Sequence, residues 1–433
     1  MKIKLTKVIN NYFIYCLNNI ILRSTSFILI PFLVKYMSPK DYGLWTLFNS
    51  LIGFITIFTG LGLRQFLGME YFHNSIDNNR SITATIICYY SFLMTPILFV
   101  LLLILPIINR YILINKVPYP LILIGLLHIF LYFFNELFFQ LLRYHSQVNK
   151  LTLIQSFSLL INIFSVVITV VILHWSVLGL AVSGLLSMLV TFIIGIFAYC
   201  KCGYNTFFEI PNISLIGYHV KKGLPFIPNM LSAWFLASGP RWILAYYGNL
   251  EDVGLYALAD ICTQVYDLVI IQPLNSAYGP YILEKLAHNK NYLQLTEQYN
   301  KNIMYICMLA ISIIASLGYY LLKPYALLLL PVKYHPVIHY AWLIVLGNIF
   351  LTGGYFASIY IQFFKQIRYL TFAWCLPALI NILLNMHLIP LWQVYGCIMS
   401  NTLTYALYFI LLLSYNYWLI HNHKPSQTLI AIN

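Results

Sequence analysis

Six charged side chains fall inside long apolar stretches of the sequence, where a charge is costly to keep in lipid. They are three arginines and three acids: Arg23, Arg64, Arg241, Glu136, Asp260 and Asp267. An arginine donates two parallel hydrogen bonds to one anion, so arginines in a cavity of low dielectric constant suit a phosphate group. We therefore expect the arginines to bind an anionic substrate group. The acids are expected either to be their counter-ions or to bind H⁺ or Na⁺ for ion coupling.

Each of these residues also has a simpler interpretation. Arg23 and Arg241 fall in equivalent predicted helices and can face one cavity, but a membrane arginine can also extend to the headgroups or pair with an acid. For Arg64, which lies nearer a helix end, both interpretations stay open. Asp260 and Asp267 are seven residues apart and share a helix face, which fits counter-ions as well as an ion site.

The sequence lacks the common motifs of catalysis. It contains no Walker A sequence, GxGxxG, GxSxG elbow or HExxH, so we expect no enzyme activity and no cofactor. Asp41 and Asp252 lie in predicted external turns, where helix capping explains them more simply than chemistry does. Cys200 and Cys202 lack a second ligand pair at zinc-site spacing, so no metal site is predicted.

The composition is that of a membrane protein. Hydrophobic residues make up 61% of the chain, charged residues 8%, and the mean hydropathy is +0.81. A soluble domain carries about 25% charged residues, so this chain cannot cover itself with a polar surface. Its apolar runs are continuous rather than alternating, which favours helices over a barrel. At about 20–25 residues per crossing, the chain has room for twelve helices.

The predicted fold class is an all-α, polytopic integral membrane protein. The spans are roughly 12–35, 43–69, 84–108, 118–142, 151–173, 177–199, 223–247, 253–280, 302–322, 336–362, 369–386 and 394–418. Of the 24 Lys and Arg residues, fifteen fall on the side of the N-terminus, six on the opposite side and three within spans. Because such an excess marks the cytoplasmic side, both termini are predicted to be cytoplasmic. The basic residues form no stripe with interleaved aromatics, so no nucleic-acid partner is expected.

A short stretch of sequence occurs twice, at 36–47 and at 247–258. The identical pairs, all 211 residues apart, are Tyr36/Tyr247, Asp41/Asp252, Gly43/Gly254, Leu44/Leu255 and Leu47/Leu258. Each copy ends one long apolar segment and opens the next. The chain is therefore predicted to consist of two related halves of about 210 residues.

This repeat sets the predicted domains. We expect an N-terminal six-helix bundle at 1–205, a cytoplasmic linker at 206–222 and a C-terminal six-helix bundle at 223–433, around a central cavity. A second repeat, Leu-Ile-Asn-Ile, places Asn162 and Asn381 in equivalent helices. These asparagines are expected to form hydrogen bonds between helices rather than to contact substrate.

Aromatic residues are abundant, at 17% of the chain. Most are expected in the two membrane interfaces or against lipid. Trp234, Trp242, Tyr246 and Tyr256, around the seventh predicted helix, are alternatively placed to stack on sugar rings.

Three segments resemble one known family. At 378–390 the chain reads Ala-Leu-Ile-Asn-Ile-Leu-Leu-Asn-Met-His-Leu-Ile-Pro, followed by Tyr-Gly at 395–396, which resembles the NIxLNxxLIPxxGxxGA pattern of Wzx-type polysaccharide exporters. Ser-Pro-Lys-Asp-Tyr-Gly at 38–43 looks like that family's LSPxDYG segment. Arg-Trp-Ile-Leu at 241–244, with Val-Gly-Leu-Tyr at 253–256, looks like its DRxxL…vGxY segment. These motifs specify the family better than the substrate.

The resemblance implies two six-helix bundles around a cationic cavity that opens alternately to each side. It further implies an undecaprenyl-diphosphate-linked oligosaccharide as substrate, the bacterial inner membrane as location, and O-antigen or capsule synthesis as pathway. Polymerase and chain-length regulator proteins are the partners that such a pathway supplies. By position, Arg23, Arg64 and Arg241 fit the cavity arginines of related lipid flippases. Pro240 stands where many relatives have an Asp, so an Asp–Arg switch is not expected there.

Two other functions fit the composition less well. An ion-coupled antiporter of the related multidrug type would need acids to dominate the cavity, whereas the predicted cavity contains arginines. An O-antigen polymerase or ligase would carry a large external loop with catalytic arginines, and no predicted external loop is large. The sequence therefore favours a lipid-linked oligosaccharide flippase.

Overall fold

The protein is helical throughout the part of the chain that its structure, a computed structural model, describes. That part comprises residues 33, 35–71, 76–111, 118–144, 147–201, 215–271, 282, 304–364 and 366–422, and it contains no β-strand. The helices are α1 Pro39–Gly60, α2 Leu63–Glu70, α3 Ile76–Cys88, α4 Met94–Tyr111, α5 Tyr119–Tyr144, α6 Val148–Val166, α7 Ser176–Lys201, α8 Ile216–Gly223, α9 Ile227–Tyr247, α10 Leu250–Tyr266, α11 Met304–Leu329, α12 Pro336–Phe363 and α13 Ile367–Asn422. The predicted all-α class is confirmed.

Short π-helical turns extend three of these helices. They are Tyr89–Leu93 between α3 and α4, Val167–Ile172 after α6 and Asp267–Ile271 after α10. Such wide turns are rare and concentrate at functional positions in helices. One of them contains Asp267, a predicted site residue.

Seven helical segments of the described chain are long and apolar enough to cross a membrane. They are Pro39–Gly60, Arg80–Ile104, Tyr119–Leu142, Leu153–Ile172, Ser176–Ala198, Val332–Phe363 and Arg368–Leu419. The described residues of the predicted spans from 43–69 onward are almost all helical, whereas the span 12–35 lies almost wholly outside the described residues. The total of twelve spans therefore stays a prediction.

The longest helix, α13, holds the last two predicted spans. It is interrupted at Gln393, whose φ of 47° and ψ of −122° are not helical. Asn381 Nδ2 donates across this break to Asn401 Oδ1 and to Thr404 Oγ1, each at 2.9 Å. The two arms of α13 therefore fold back on each other, and the interhelical role predicted for Asn381 is confirmed.

The described residues form two compact units. The first extends to Trp242 and adds Asn249–Gly254, and the second contains Ile243–Gly248 and the residues from Leu255 onward. The predicted bundles 1–205 and 223–433, with the linker 206–222, follow the sequence repeat and stay a prediction.

Apolar packing and short polar contacts hold the first unit together. Its core is built from buried residues of α1 to α5 and α7, among them Phe138, which is fully buried. Asn135 Nδ2 donates to the carbonyl of Met188 at 3.0 Å, and the hydroxyls of Ser158 and Ser187 lie 2.9 Å apart. Small polar residues of this kind join helices in a membrane, where apolar surface alone gives little specificity.

Apolar packing and polar contacts between helices also hold the second unit together, among α10, α12 and α13. The hydroxyls of Tyr266 and Thr352 lie 3.0 Å apart, and Asn416 Nδ2 donates to the carbonyl of Ala357 at 2.8 Å. Tyr408, which is 2% exposed, lies in the centre of its core.

The two copies of the repeated stretch are capped alike. Ser38 Oγ accepts the backbone N–H of Asp41 at 3.1 Å, and Asn249 Oδ1 accepts that of Asp252 at 2.8 Å. Ser38 and Asn249 are themselves 211 residues apart. In the first copy the N-cap is Ser38 and not the predicted Asp41. In the second copy the Asp252 side chain accepts a backbone hydrogen bond from Asn249, so Asp252 takes part in the cap as predicted, together with Asn249.

The repeated glycines cross each other within the first unit. A Cβ at Gly43 would overlap the carbonyl oxygen of Leu250, and a Cβ at Gly254 would overlap that of Pro39. Pro39 and Leu250 are equivalent in the repeat, so the crossing is symmetric in sequence. The start of α1 and the start of α10 therefore touch backbone to backbone, which only glycine permits at this distance.

Candidate functional site

An ion pair joins two predicted site residues of the first unit. Arg64, in α2, lies against Glu136, in α5, with Nη1 of the arginine bonded to Oε2 of the acid. The two side chains are 33% and 27% exposed. The pair is therefore not sealed within the core of the unit. Of the two interpretations left open for Arg64, pairing with a nearby acid describes this arrangement.

Polar neighbours fix the arginine on both its backbone and its side chain. Gln140 Nε2 donates to the carbonyl of Arg64 at 3.1 Å and to the hydroxyl of Tyr144 at 2.5 Å. The Arg64 side chain also hydrogen-bonds to Tyr132 and lies in the electrostatic field of Tyr90. The guanidinium is thus held at one place before any ligand arrives.

Glu136 belongs to a polar stripe along α5. The stripe comprises His128, Tyr132, Glu136, Gln140 and Tyr144, each four residues after the last. Residues at this spacing share a helix face. Apart from Gln140, they are neither fully buried nor fully exposed. Leu123 and Leu127, which are 40% and 55% exposed, lie about 140–180° around the helix from Glu136.

This stripe could have been found in the sequence. A polar residue at every fourth position of a largely apolar span is a helical pattern. The stripe gives the first unit a polar, partly accessible face that differs from its apolar outer face.

A break in the predicted second span positions Arg64. α1 ends at Gly60, and Leu61 and Gly62 adopt left-handed φ values of 47° and 67° before α2 begins. A Cβ at Gly62 would overlap the carbonyl oxygen of Gly223, at the end of α8. The prediction of a single helix over 43–69 is therefore wrong. Gly62 permits the left-handed turn, and the lack of a side chain at Gly62 and Gly223 permits the close approach to α8.

The short helix α8 lies mostly in the predicted linker and packs against α2. His219 is 3% exposed, and its ring lies 5.1 Å from that of Phe66. Burial lowers the pKa of His219, so this histidine is neutral at physiological pH. Lys222 extends over the ring of Tyr218 at 5.6 Å. α8 thus contributes one buried, uncharged face and one basic face.

The second unit has a polar cleft of its own, between α10, α12 and α13. Its polar lining is Tyr256, Asp260, Thr263, Asn401, Thr402 and Tyr405. Asn401 Nδ2 donates to the Tyr256 hydroxyl at 2.8 Å, and Gln264 Nε2 lies 3.5 Å from Asp260 Oδ2. Tyr405 also interacts electrostatically with Asp267, the first residue of the π-helical turn that follows α10. Carboxylate, hydroxyl and amide oxygens of this kind suit a proton or a hard cation.

The other two predicted arginines are placed differently. Arg241 is half-buried in α9, directly after Pro240, and Trp242 beside it packs against the core of the first unit. Arg23 lies outside the described residues. A cavity lined jointly by Arg23 and Arg241 stays a prediction.

Two of the four aromatic candidates for sugar stacking already have partners inside the protein. Trp234 Nε1 donates to the carbonyl of Ser50 at 2.9 Å, and its ring lies 4.9 Å from that of Phe54. Tyr256 is 3% exposed. Tyr246 is 70% exposed at the end of α9, which fits an interfacial position.

No metal centre is found within the described ranges, where no three His, Cys, Asp or Glu side chains come together. The site therefore consists of one accessible arginine–carboxylate pair with its polar stripe, and a separate acidic cleft in the other unit. The pair can exchange an anion or a proton, and the cleft can bind a cation.

Solved transporters share this fold. An inward-facing multidrug-resistance MATE transporter of the MOP superfamily matches with a TM-score of 0.73 at 14% identity, over 93% of this chain and 94% of that chain. The lipid II flippase MurJ, in an inward closed conformation, matches with a TM-score of 0.68 at 13% identity, over 94% and 86%. A MOP superfamily transporter from Pyrococcus furiosus matches with a TM-score of 0.64 at 15% identity, over 96% of each chain. No curated protein sequence matches the chain.

The family is shown by the sequence itself. The family model described as polysaccharide biosynthesis protein matches residues 8–286, which is more than half of the chain. The shared fold and the apolar helices make the protein a multi-pass membrane protein. The chain belongs to the polysaccharide biosynthesis protein family, and its fold is that of the MOP superfamily transporters.

Proposed function

We propose that this protein flips undecaprenyl-diphosphate-linked oligosaccharide repeat units across the bacterial inner membrane, for O-antigen or capsule and exopolysaccharide synthesis. The observation that carries the proposal is an accessible arginine in a membrane protein of a polysaccharide biosynthesis family. The likeness in fold to a lipid II flippase supports a lipid-linked sugar as the substrate class.

The arginines have the chemistry that such a substrate needs. A diphosphate carries two adjacent anionic groups, and a guanidinium binds each through paired hydrogen bonds. In this mechanism Arg23, Arg64 and Arg241 hold the diphosphate while the glycan occupies a hydrated cavity and the polyprenyl chain stays in lipid. Rocking of the two halves carries the headgroup across by alternating access. Glu136 is the counter-ion of Arg64, and Asp260 and Asp267 are candidates for ion coupling.

The pathway supplies the remaining partners. A flippase of this kind delivers its product to a polymerase on the outer face, and a chain-length regulator acts with that polymerase. Both termini are cytoplasmic in this proposal, following the distribution of Lys and Arg.

An ion-coupled multidrug antiporter is the second candidate. The acidic cleft around Asp260 favours it, because a cationic drug or a coupling ion would bind there. Arg64 speaks against it, because an arginine that separates from Glu136 to bind substrate would repel a cation and attract an anion.

The deciding experiment measures the sidedness of lipid-linked repeat units in a strain that lacks this protein. We expect complete units to accumulate on the cytoplasmic face and restoration of the protein to relieve this. Arg64→Ala and Arg241→Ala should fail to restore, whereas Arg368→Ala, an exposed arginine at the start of α13, should restore fully. If single units reach the outer face without the protein and only long chains are missing, the protein acts as a polymerase instead.

A further inference from the structure

Arg64 cannot serve a phosphate fully while it is bonded to Glu136. The guanidinium has a fixed set of five N–H groups. In this structure Nη1 donates to Glu136, and the side chain also forms a hydrogen bond with Tyr132. A neutral pair also presents little positive potential to an approaching anion. A ligand phosphate must therefore compete with the carboxylate for the same cation.

The competition is open because the pair is partly exposed. Fractional exposures of 33% and 27% leave both groups within reach of solvent, unlike a sealed pair, whose separation would strand a charge in a dry core. The two adjacent anionic phosphates of a diphosphate together attract the guanidinium more strongly than one carboxylate does. The exchange of partners is thus feasible without unfolding the unit.

We propose that Glu136 is a displaceable counter-ion, which yields Arg64 to the phosphate of the transported headgroup and then takes up one proton. This inference rests on the proposed function and concerns the same arginine. On loading, the Arg64–Glu136 ion pair breaks and hydrogen bonds from Arg64 to the phosphate form. One proton from solvent then binds the freed carboxylate, because two anions so close together cannot both stay charged at low cost.

The surroundings of Glu136 leave Arg64 as the charged partner that decides its state. Arg64 approaches from α2, Tyr90 lies near the arginine in the π-helical turn, and Tyr132 and His128 precede Glu136 on α5. The helices α1, α4, α6 and α7 also pack near α5. Their charged and titratable residues are confined to their first or last turns. Within the described chain, no second cation on these helices competes for the acid.

The sign of this linkage has a consequence for energy coupling. Because headgroup and proton bind together, each strengthens the binding of the other by the same factor. A proton gradient directed into the cell would then oppose outward movement through this pair. Any ion that drives export has to act elsewhere, and the cleft around Asp260 is the acidic site available in the second unit.

The test measures binding of farnesyl diphosphate, a sugar-free lipid diphosphate, to the purified full-length chain between pH 5.5 and 8. Wild-type affinity should rise as the pH falls, by at most about tenfold per pH unit for one linked proton. Glu136→Gln, which cannot hold the charge, should bind roughly threefold to tenfold more tightly at pH 8. Its affinity should also depend less on pH. Because the ligand titrates identically in both experiments, the difference in pH dependence between the variant and the wild type reports only on the protein.

A double-mutant cycle separates this exchange from a structural role. If Glu136 acts through Arg64, then Glu136→Gln should have no effect on affinity in an Arg64→Gln background. Thermal unfolding of each variant checks that it is folded. An unchanged or weaker affinity of a folded Glu136→Gln variant at every pH would overturn the exchange.

Failure of the exchange and failure of the proposed function give different results. If Glu136→Gln does not change diphosphate binding, the exchange is overturned. The proposed flippase function would still stand, because the sidedness of repeat units tests that function independently. Absence of diphosphate binding by the wild type at any pH would overturn the exchange and count against the substrate class. Normal export by a strain carrying Arg64→Ala would remove Arg64 from the flippase mechanism.

Discussion

The Arg64–Glu136 pair is only partly exposed, with side chains 33% and 27% accessible, and its two charges hold each other at the membrane-spanning segment Tyr119–Leu142. The sequence could identify both residues as intramembrane charges, since each interrupts an apolar run. It could not predict their pairing, because the two residues are 72 positions apart and only tertiary packing brings them together.

The caps of the repeated turns give a prediction at the same scale. Asn249→Ala removes the oxygen that accepts the Asp252 N–H at 2.8 Å, and should lower the free energy of unfolding by about 1 kcal/mol. Asp252→Asn keeps that N–H and should change stability less. Thermal unfolding in detergent measures both. If Asp252→Asn proved the more damaging change, the acid and not Asn249 would be the residue that matters at this turn.

The residues that accept the first N–H groups of these helices were not predicted from the sequence. Asp41 and Asp252 are identical in the two copies, whereas Ser38 and Asn249, which accept their N–H groups, differ in type. Identity at a constant offset therefore marks the acids and not the N-caps. The geometry of capping, a side-chain oxygen three residues before the N–H, identifies Ser38 and Asn249.

At the scale of helices, hydropathy located the described spans and the break near Gln393, which lies between the predicted spans 369–386 and 394–418. It did not locate the other interruptions. Leu61 and Gly62 are apolar, so the left-handed break between α1 and α2 is invisible to a hydropathy average. The π-helical turns also leave the apolar pattern intact. α8 was missed for the opposite reason, since eight residues with two lysines and a histidine do not form an apolar run.

The glycine crossing between α1 and α10 gives an element-scale prediction. Gly43→Ala and Gly254→Ala each place a Cβ on a backbone carbonyl, and each should destabilise the protein by about 1–3 kcal/mol. Both changes widen the same crossing, so the double variant should lose less than the sum of the two. Thermal unfolding in detergent measures all three.

The control for this crossing is another helical glycine. Gly318 in α11 has no atom within 4 Å of where its Cβ would be. Gly318→Ala should therefore be neutral or stabilise by up to about 1 kcal/mol. Equal losses at Gly318 and Gly43 would show that close approach is not the reason for glycine in the repeat.

For the whole molecule, the distribution of charge predicts its orientation. With both termini cytoplasmic, Lys333 lies on the outer side and Lys150 on the cytoplasmic side. In a chain whose eight native cysteines are replaced, Lys333→Cys should react with a membrane-impermeant maleimide in intact cells. Lys150→Cys should react only after the cells are permeabilised. The reverse pattern would invert the proposed topology and the direction of transport with it.

The placement of Arg241 has a consequence for how the chain enters the bilayer during synthesis. α9 is 21 residues long, yet it is not among the seven segments apolar enough to cross a membrane by themselves. An arginine near the middle of a helix raises the free energy of insertion by up to about 3 kcal/mol. α1 is synthesised earlier than α9. The carbonyl of Ser50 in α1 accepts a hydrogen bond from Trp234 Nε1 in α9. We therefore expect insertion of α9 to depend on α1, which is already in place.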